Sequence, residues 1–154
     1  MNDILKKPIT ANEIEWRVQQ QTSTGKLIVV PYITNRCVME RFDEAFGADK
    51  WDSEFREITN GFICRLTVHT ENGIVRREDG ASKTNNQPEK GGISDAMKRA
   101  AVQFGLGRCL YAYPRVMIET DGKFIPDWAY AKLDKLVEWV NAGNFKEMII
   151  LQNK

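Results

Sequence analysis

The chain is poor in the residues that build metal and redox centres. It has one histidine, His69, and three widely spaced cysteines, Cys37, Cys64 and Cys109, with no C-x-x-C pair among them. A zinc site needs several such ligands at short spacing, so no metal is expected. No apolar run approaches the length of a membrane-spanning helix, so no membrane partner is expected. A phosphate loop is missing too. The segment TSTGK ends like one, but Gln20 stands five residues before Gly25, where that loop needs its first glycine. Neither nucleotide hydrolysis nor a cofactor is therefore expected. Net charge is also scarce: 22 Lys and Arg against 21 Asp and Glu leave +1, which excludes a uniformly basic coat for nucleic acid. An odd cysteine count without a recognisable signal peptide fits a reducing compartment, and a cytoplasmic location is expected.

What charge there is falls unevenly. Up to Gly73 there are 9 basic residues against 11 acids, from Ile74 to Arg108 there are 7 against 4, and the remainder is balanced at 6 and 6. The basic excess coincides with SDAMKRAAVQFGLGRCLY, from Ser94 to Tyr111. Ile93, Met97, Ala100, Ala101 and Phe104 recur there at helical spacing, and Gly105 and Gly107 supply a stop. Lys98 and Arg99 are expected together on the opposite, solvated side. Two fixed cations suit consecutive phosphates; on spacing alone an ordinary solvated face is the commoner reading of such a pair.

The rest of the pattern predicts an α+β fold in a single domain, with a core over about residues 9–142 and a short tail over 144–154. A capping-box pair, Thr10 and Glu13, predicts a first helix over Thr10–Gln21. Leu27–Ile33 reads as a strand that Pro31 places at an edge or bulge. A helix capped by Thr34, striped by Val38, Phe42, Ala45 and Phe46, ends at Gly47. Asn60-Gly61 and Asn72-Gly73 are hairpin signals and predict an antiparallel meander of Ser53–Thr59, Phe62–Glu71 and Ile74–Gly80. Two-residue turns at these dipeptides set Phe55 opposite Leu66 and His69 opposite Arg76. Phe55, Phe62, Cys64, Leu66, Val68 and Val75 then share a core face, with Arg56, Arg65, Thr67, His69 and Arg76 on the other. Ala81–Gly92 reads as a polar loop carrying Lys83 and Lys90. Pro126 and Asp127 open a last helix with Leu133, Leu136, Val137 and Val140 inward. The meander followed by the basic helix makes a β-β-β-α core.

Two features stay open. The basic sheet face fits a nucleic-acid backbone or cross-strand ion pairs equally well. Trp128 and Trp139 lie nearly in line on the last helix, either as a contact surface or as an edge of the chain's own core. Glu54, Glu57, Glu78 and Asp79 suggest a metal-dependent nuclease only weakly, because they alternate between faces and interleave with arginines.

The signature helix resembles that of the Sak-type phage single-strand annealing proteins of the Rad-fifty-two superfamily, which reads roughly D-a-x-K-R-A-x-x-x-F-G. Here it stands as Asp95, Lys98, Arg99, Ala100, Phe104 and Gly105, followed by Gly107, Leu110 and Tyr111. PYITNRCVMERFDEAFGADKW matches a second family segment, and together the matching parts span roughly Ile14 to Tyr111. The resemblance implies single-stranded DNA as partner, ATP-independent annealing of complementary strands in recombination and repair, no enzymatic activity, and a homo-oligomeric ring or arc. It also implies a nuclease or single-strand-binding protein as further partner, and a bacterial host cytoplasm if the chain is phage-encoded. It makes Arg17, Arg36 and Tyr32 groove residues beside Lys98 and Arg99. The family's eukaryotic members carry a further arginine where Val102 stands, so the basic lining is expected to be thinner there or made up by Arg108 or the loop lysines Lys83 and Lys90; Arg76 is a separate candidate on the basic sheet face. The rival binding reading is a double-stranded RNA module, since a meander with a basic helix occurs there as well.

Overall fold

The computed structural model describes residues 3–85 and 87–154. The backbone gathers into two compact units, each built from two stretches of chain: residues 3–7 with Thr34–Arg108, and Pro8–Ile33 with Cys109–Lys154. The chain passes from one unit to the other three times, after Lys7, Ile33 and Arg108. Both units mix helices with antiparallel strand pairs, so the fold class is α+β.

The first unit contains the β-β-β-α core. A short helix α1 (Asp3–Lys6) precedes α2 (Asn35–Phe46), whose N-terminus is capped by Thr34 accepting from the Cys37 N–H at 3.0 Å. Strands β1 (Ile14–Gln21) and β2 (Lys26–Ile33) belong to the second unit. β3 (Trp51–Ile58), β4 (Gly61–Thr70) and β5 (Gly73–Ser82) form the meander, and α3 (Pro88–Gln103) lies over β4 and β5. Phe62, Cys64, Leu66 and Val68 of β4 are buried in the core, as are Met97, Ala100, Ala101 and Phe104 of the α3 segment that packs on it. Phe42 anchors it, with rings of Phe46, Trp51 and Phe104 standing edge-on at 5.5, 5.4 and 5.5 Å. Burial pushes the Cys64 thiol up to about 12. Buried Arg41 ties α2 to α1 by donating to the Ile4 carbonyl at 2.8 Å and the Lys7 carbonyl at 3.2 Å.

The second unit is a four-stranded sheet. Its strands are β1 (Ile14–Gln21), β2 (Lys26–Ile33), β6 (Arg115–Glu119) and β7 (Met148–Leu151), in that spatial order. Helix α4 (Asp127–Asn141) covers one face, where Ala129, Leu133 and Leu136 pack on Leu27, Val29, Val116 and Ile118. Trp128 and Trp139 are half-buried against this same core, which answers the question their spacing leaves open: they belong to the chain's own packing. β6 pairs with β2 only as far as Val29, so Pro31 lies where β2 is locally an edge.

Several expectations are corrected. The span expected as a helix over Thr10–Gln21 is instead one turn followed by the strand Ile14–Gln21. The capping box forms, with Glu13 accepting from the Thr10 N–H at 3.0 Å, but it closes only one 3-10 turn over Ala11–Glu13. Ile14 and Trp16 then alternate inward opposite Ile33 and Pro31, while Val18, opposite Val29, stays exposed. The tail over 144–154 contains β7, which adds to β6 in parallel. α3 begins at Pro88, so most of the expected polar loop is strand end or helix, and Lys90 is helical. Gly91 and Gly92 are tolerated inside the helix because its backbone comes close to the sheet. A Cβ on Gly92 would stand 2.6 Å from the Phe62 ring, and one on Gly91 2.2 Å from the Thr84 hydroxyl.

The hairpins are also shifted by two residues. Ile58 pairs with Gly61 and Thr70 with Gly73, so Phe55 faces Cys64 and His69 faces Ile74. A type I′ turn would need positive φ at the asparagines, and among the described residues only Gln87 has it outside glycine. Gly61 is inside the sheet because a Cβ there would lie 2.3 Å from the Ala81 carbonyl oxygen. An even shift leaves every side chain on its expected face. Phe55 nevertheless stays 38 % exposed, since α3 lies over the other two strands.

Gly61→Ala should therefore destabilise the protein by about 1–3 kcal/mol, because the obstacle is backbone and cannot swing away. Gly122→Ala, with no atom closer than 3.6 Å to the added carbon, should stay within about 0.5 kcal/mol of wild type. Urea melts of the two variants check this; equal midpoints would refute the close approach.

Candidate nucleic-acid interface

In the first unit the two expected helix cations do not share an environment. Successive helical residues diverge by about 100°, and Lys98 turns inward. It is 5 % exposed, which corrects the expectation that it faces solvent with Arg99. Arg99 stays out, and its Nε lies 3.3 Å from Asp79 Oδ1 on β5. Asp79 is itself held by the Gly80 N–H at 2.7 Å and Gln103 Nε2 at 3.4 Å. Helix and strand thus present one Arg–Asp pair at their seam.

The remaining basic residues of this unit divide by role. Lys83, just past β5, places its ammonium 2.6 Å from Glu57 Oε1 and 5.6 Å from the Phe62 ring centre. The hydrogen bond to Glu57 raises its pKa. Arg108 caps the end of α3, donating from Nε to the Val102 carbonyl and from Nη2 to the Gln103 carbonyl, both at 2.8 Å. Arg77 Nη1 reaches the same Gln103 carbonyl at 3.0 Å, with its guanidinium 5.4 Å from the Phe104 ring. Lys90 is exposed in the first turns of α3, and Arg36 is exposed at the start of α2.

Arg76 is exposed on the meander face opposite α3, so the sheet separates it from Arg99. Of the two alternatives the sequence leaves open for that face, it carries the cross-strand ion pairs. Arg56 and Arg65 both lie 2.9 Å from Glu78, and Arg65 lies 4.0 Å from Glu54. Hydrogen bonds from Arg56 and Arg65 hold the Glu78 carboxyl below the usual range. The four acids considered for a nuclease split between faces, Glu54 and Glu78 on one, Glu57 and Asp79 on the other.

In the second unit, strand pairing brings two sequence candidates together. Glu15 pairs with Tyr32 and Arg17 with Val30, which sets Glu15, Arg17 and Tyr32 on the sheet face away from α4. The Arg17 guanidinium lies 4.8 Å above the Tyr32 ring, and its Nε lies 2.8 Å from Glu15 Oε1. Tyr32 is 40 % exposed, so a cation and an aromatic face are offered to solvent as one surface. The carboxylate partners Glu15, Glu57 and Asp79 escape sequence reasoning; only Glu15, two residues from Arg17 on one strand, leaves a local signal.

Comparison with known proteins extends this geometry. Two relatives are both described as single-stranded DNA-binding protein DdrA. The one from Deinococcus radiodurans is 29% identical over 139 residues, covering 81% of this chain and 65% of the relative. The one from Deinococcus deserti is 30% identical over 139 residues, covering 81% of this chain and 67% of the relative. The chain thus spans about two thirds of the length of these relatives. A family model described as Rad52/22 family double-strand break repair protein matches residues 1–121, a stretch that holds the meander, the basic helix and the Arg17–Tyr32 strand pair. The chain belongs to the Rad52/22 family of double-strand break repair proteins.

Proposed function

We propose that the chain binds single-stranded DNA and promotes annealing of complementary strands without ATP, as a homo-oligomer acting in recombination and repair. The observation that carries this reading is the Arg17–Tyr32 pair. A guanidinium stacked on a half-exposed aromatic ring is the combination that holds a single strand by phosphate and base face without reading its sequence. Base edges left unread stay free to pair with a second strand. The names of the relatives, single-stranded DNA-binding proteins, support the same substrate. No step of strand pairing calls for nucleotide hydrolysis, which fits a sequence without a phosphate loop.

Assembly is part of the proposal because a chain of net charge +1 has few cations to offer. Repeating a modest site along one continuous groove replaces strength by avidity. The last helix is a poor contact, since Trp128 and Trp139 serve their own core. The meander offers better ones: β3 and β5 are its two outer strands, with Ile58 and Ile74 at 46 % and 51 % exposure. Unpaired strand edges invite pairing with another copy, and a head-to-tail contact that closes makes a ring.

Arg17→Ala combined with Arg99→Ala should leave the fold intact, because both side chains lie at the surface. Single-strand affinity should drop, and the salt dependence should flatten by about 0.7 log units per lost phosphate contact. Lys98 is left unchanged in this test, since its burial mixes stability with binding. Binding identical to wild type across a salt titration would refute the site.

Annealing of complementary oligonucleotides should run at the same rate with and without ATP; a strict ATP requirement in purified protein would refute the mechanism. Light scattering should show an oligomer at micromolar concentration in the presence of single-stranded DNA. A monomer under those conditions would remove the avidity argument.

A further inference from the structure

Three of the candidate cations carry a carboxylate. Arg17 is paired with Glu15 at 2.8 Å, Lys83 with Glu57 at 2.6 Å and Arg99 with Asp79 at 3.3 Å. All three pairs lie at the surface, with side-chain exposures of 35% and 46%, 31% and 63%, and 56% and 29%. Exposed pairs of this kind hold only weakly against water and salt. A carboxylate and a phosphate diester also compete for the same N–H donors.

We propose that Glu15 in the second unit and Glu57 and Asp79 in the first are exchangeable internal counterions that set the affinity and selectivity of single-strand binding. They are positioning residues for the three cations in the free protein. On binding, a backbone phosphate takes the place of the carboxylate, which returns to water. Each contact therefore contributes a difference between two ion pairs instead of a whole one. A stray polyanion that meets one or two such sites gains little. A long single strand engaging many copies gains the sum, so selectivity for a continuous strand over scattered anions follows from the weakness of each site. Arg17 keeps its orientation during the exchange because the Tyr32 ring still lies beneath it at 4.8 Å.

The inference rests on the single-strand reading above, and the test separates the two. Glu15→Gln and Glu57→Gln keep size and an acceptor oxygen but remove the charge. Each should tighten binding of a fluorescent deoxythymidine oligonucleotide about two- to fivefold at low salt, and the double variant by about the product. Glu71→Gln and Asp134→Asn remove the same charge from exposed acids that have no such cation partner among the described residues; they should bind like wild type. Asp79→Asn is measured alongside a thermal melt, because Asp79 also accepts from Gly80 and Gln103; if it melts early, Glu15 and Glu57 decide. Gains confined to the paired acids support the proposal. Equal gains in the controls, or weaker binding in the Glu15 and Glu57 variants, overturn it while leaving single-strand binding intact. A wild-type protein that does not bind the oligonucleotide overturns both.

Discussion

The closeness of α3 to the meander is the constraint on which the first unit depends. Gly92 lets the helix backbone come down onto the Phe62 ring, where any larger residue would hold it away. That approach brings Phe104, just past the helix, edge-on to Phe42 and so joins the helix to α2. It turns Lys98 inward and sets Arg99 against Asp79. The helix costs about 1 kcal/mol for each interior glycine relative to alanine, and dense packing against β4 offsets it. The residues that look most like a nucleic-acid motif thus owe their geometry to apolar contacts on the far side of the helix.

Much of this was legible in the sequence, for reasons that can be named. Helix α2 announces itself by a cap, a stripe and a glycine stop, all local. The faces of the meander follow from period two, and an even error in register leaves parity untouched. The strand β1 reads as a helix because a genuine capping box precedes it and its glutamines favour helix, while the reward for extension lies in β2, beyond a turn. The interior glycines of α3 read as loop because what justifies them, the Phe62 ring and the Thr84 side chain, is not adjacent in sequence. Lys98 reads as solvent-facing only when charge is equated with exposure; successive residues on a helix diverge by about 100°, and it is Arg99 that takes the outer position.

The candidate site was legible as a set of cations and illegible as an electrostatic surface. Arg17, Arg36, Lys98 and Arg99 could be named from the resemblance, but the acids that pair with Arg99 and Lys83 come from other elements. Asp79 lies 20 residues from Arg99, and Glu57 lies 26 from Lys83. Arg108 shows the opposite error. Its charge is used on the Val102 and Gln103 carbonyls, where it complements the negative end of the α3 dipole. A count of basic residues overstates what a polyanion would meet, and the near-neutral total is visible locally, pair by pair.

The interleaving of the two units has a consequence for the order in which the chain acquires structure. Every residue of the first unit has left the ribosome once Arg108 has, so its meander and helices can close while the rest is still being made. The hairpin of β1 and β2 must wait. Its partner β6 is some 90 residues downstream of β2, and the helix that covers its apolar face comes later still. During that interval Leu27 and Val29 have no cover from their own unit. The nascent chain carries one finished unit and one exposed hairpin, and the hairpin is where a chaperone, or a mispairing with a neighbouring chain, would act first.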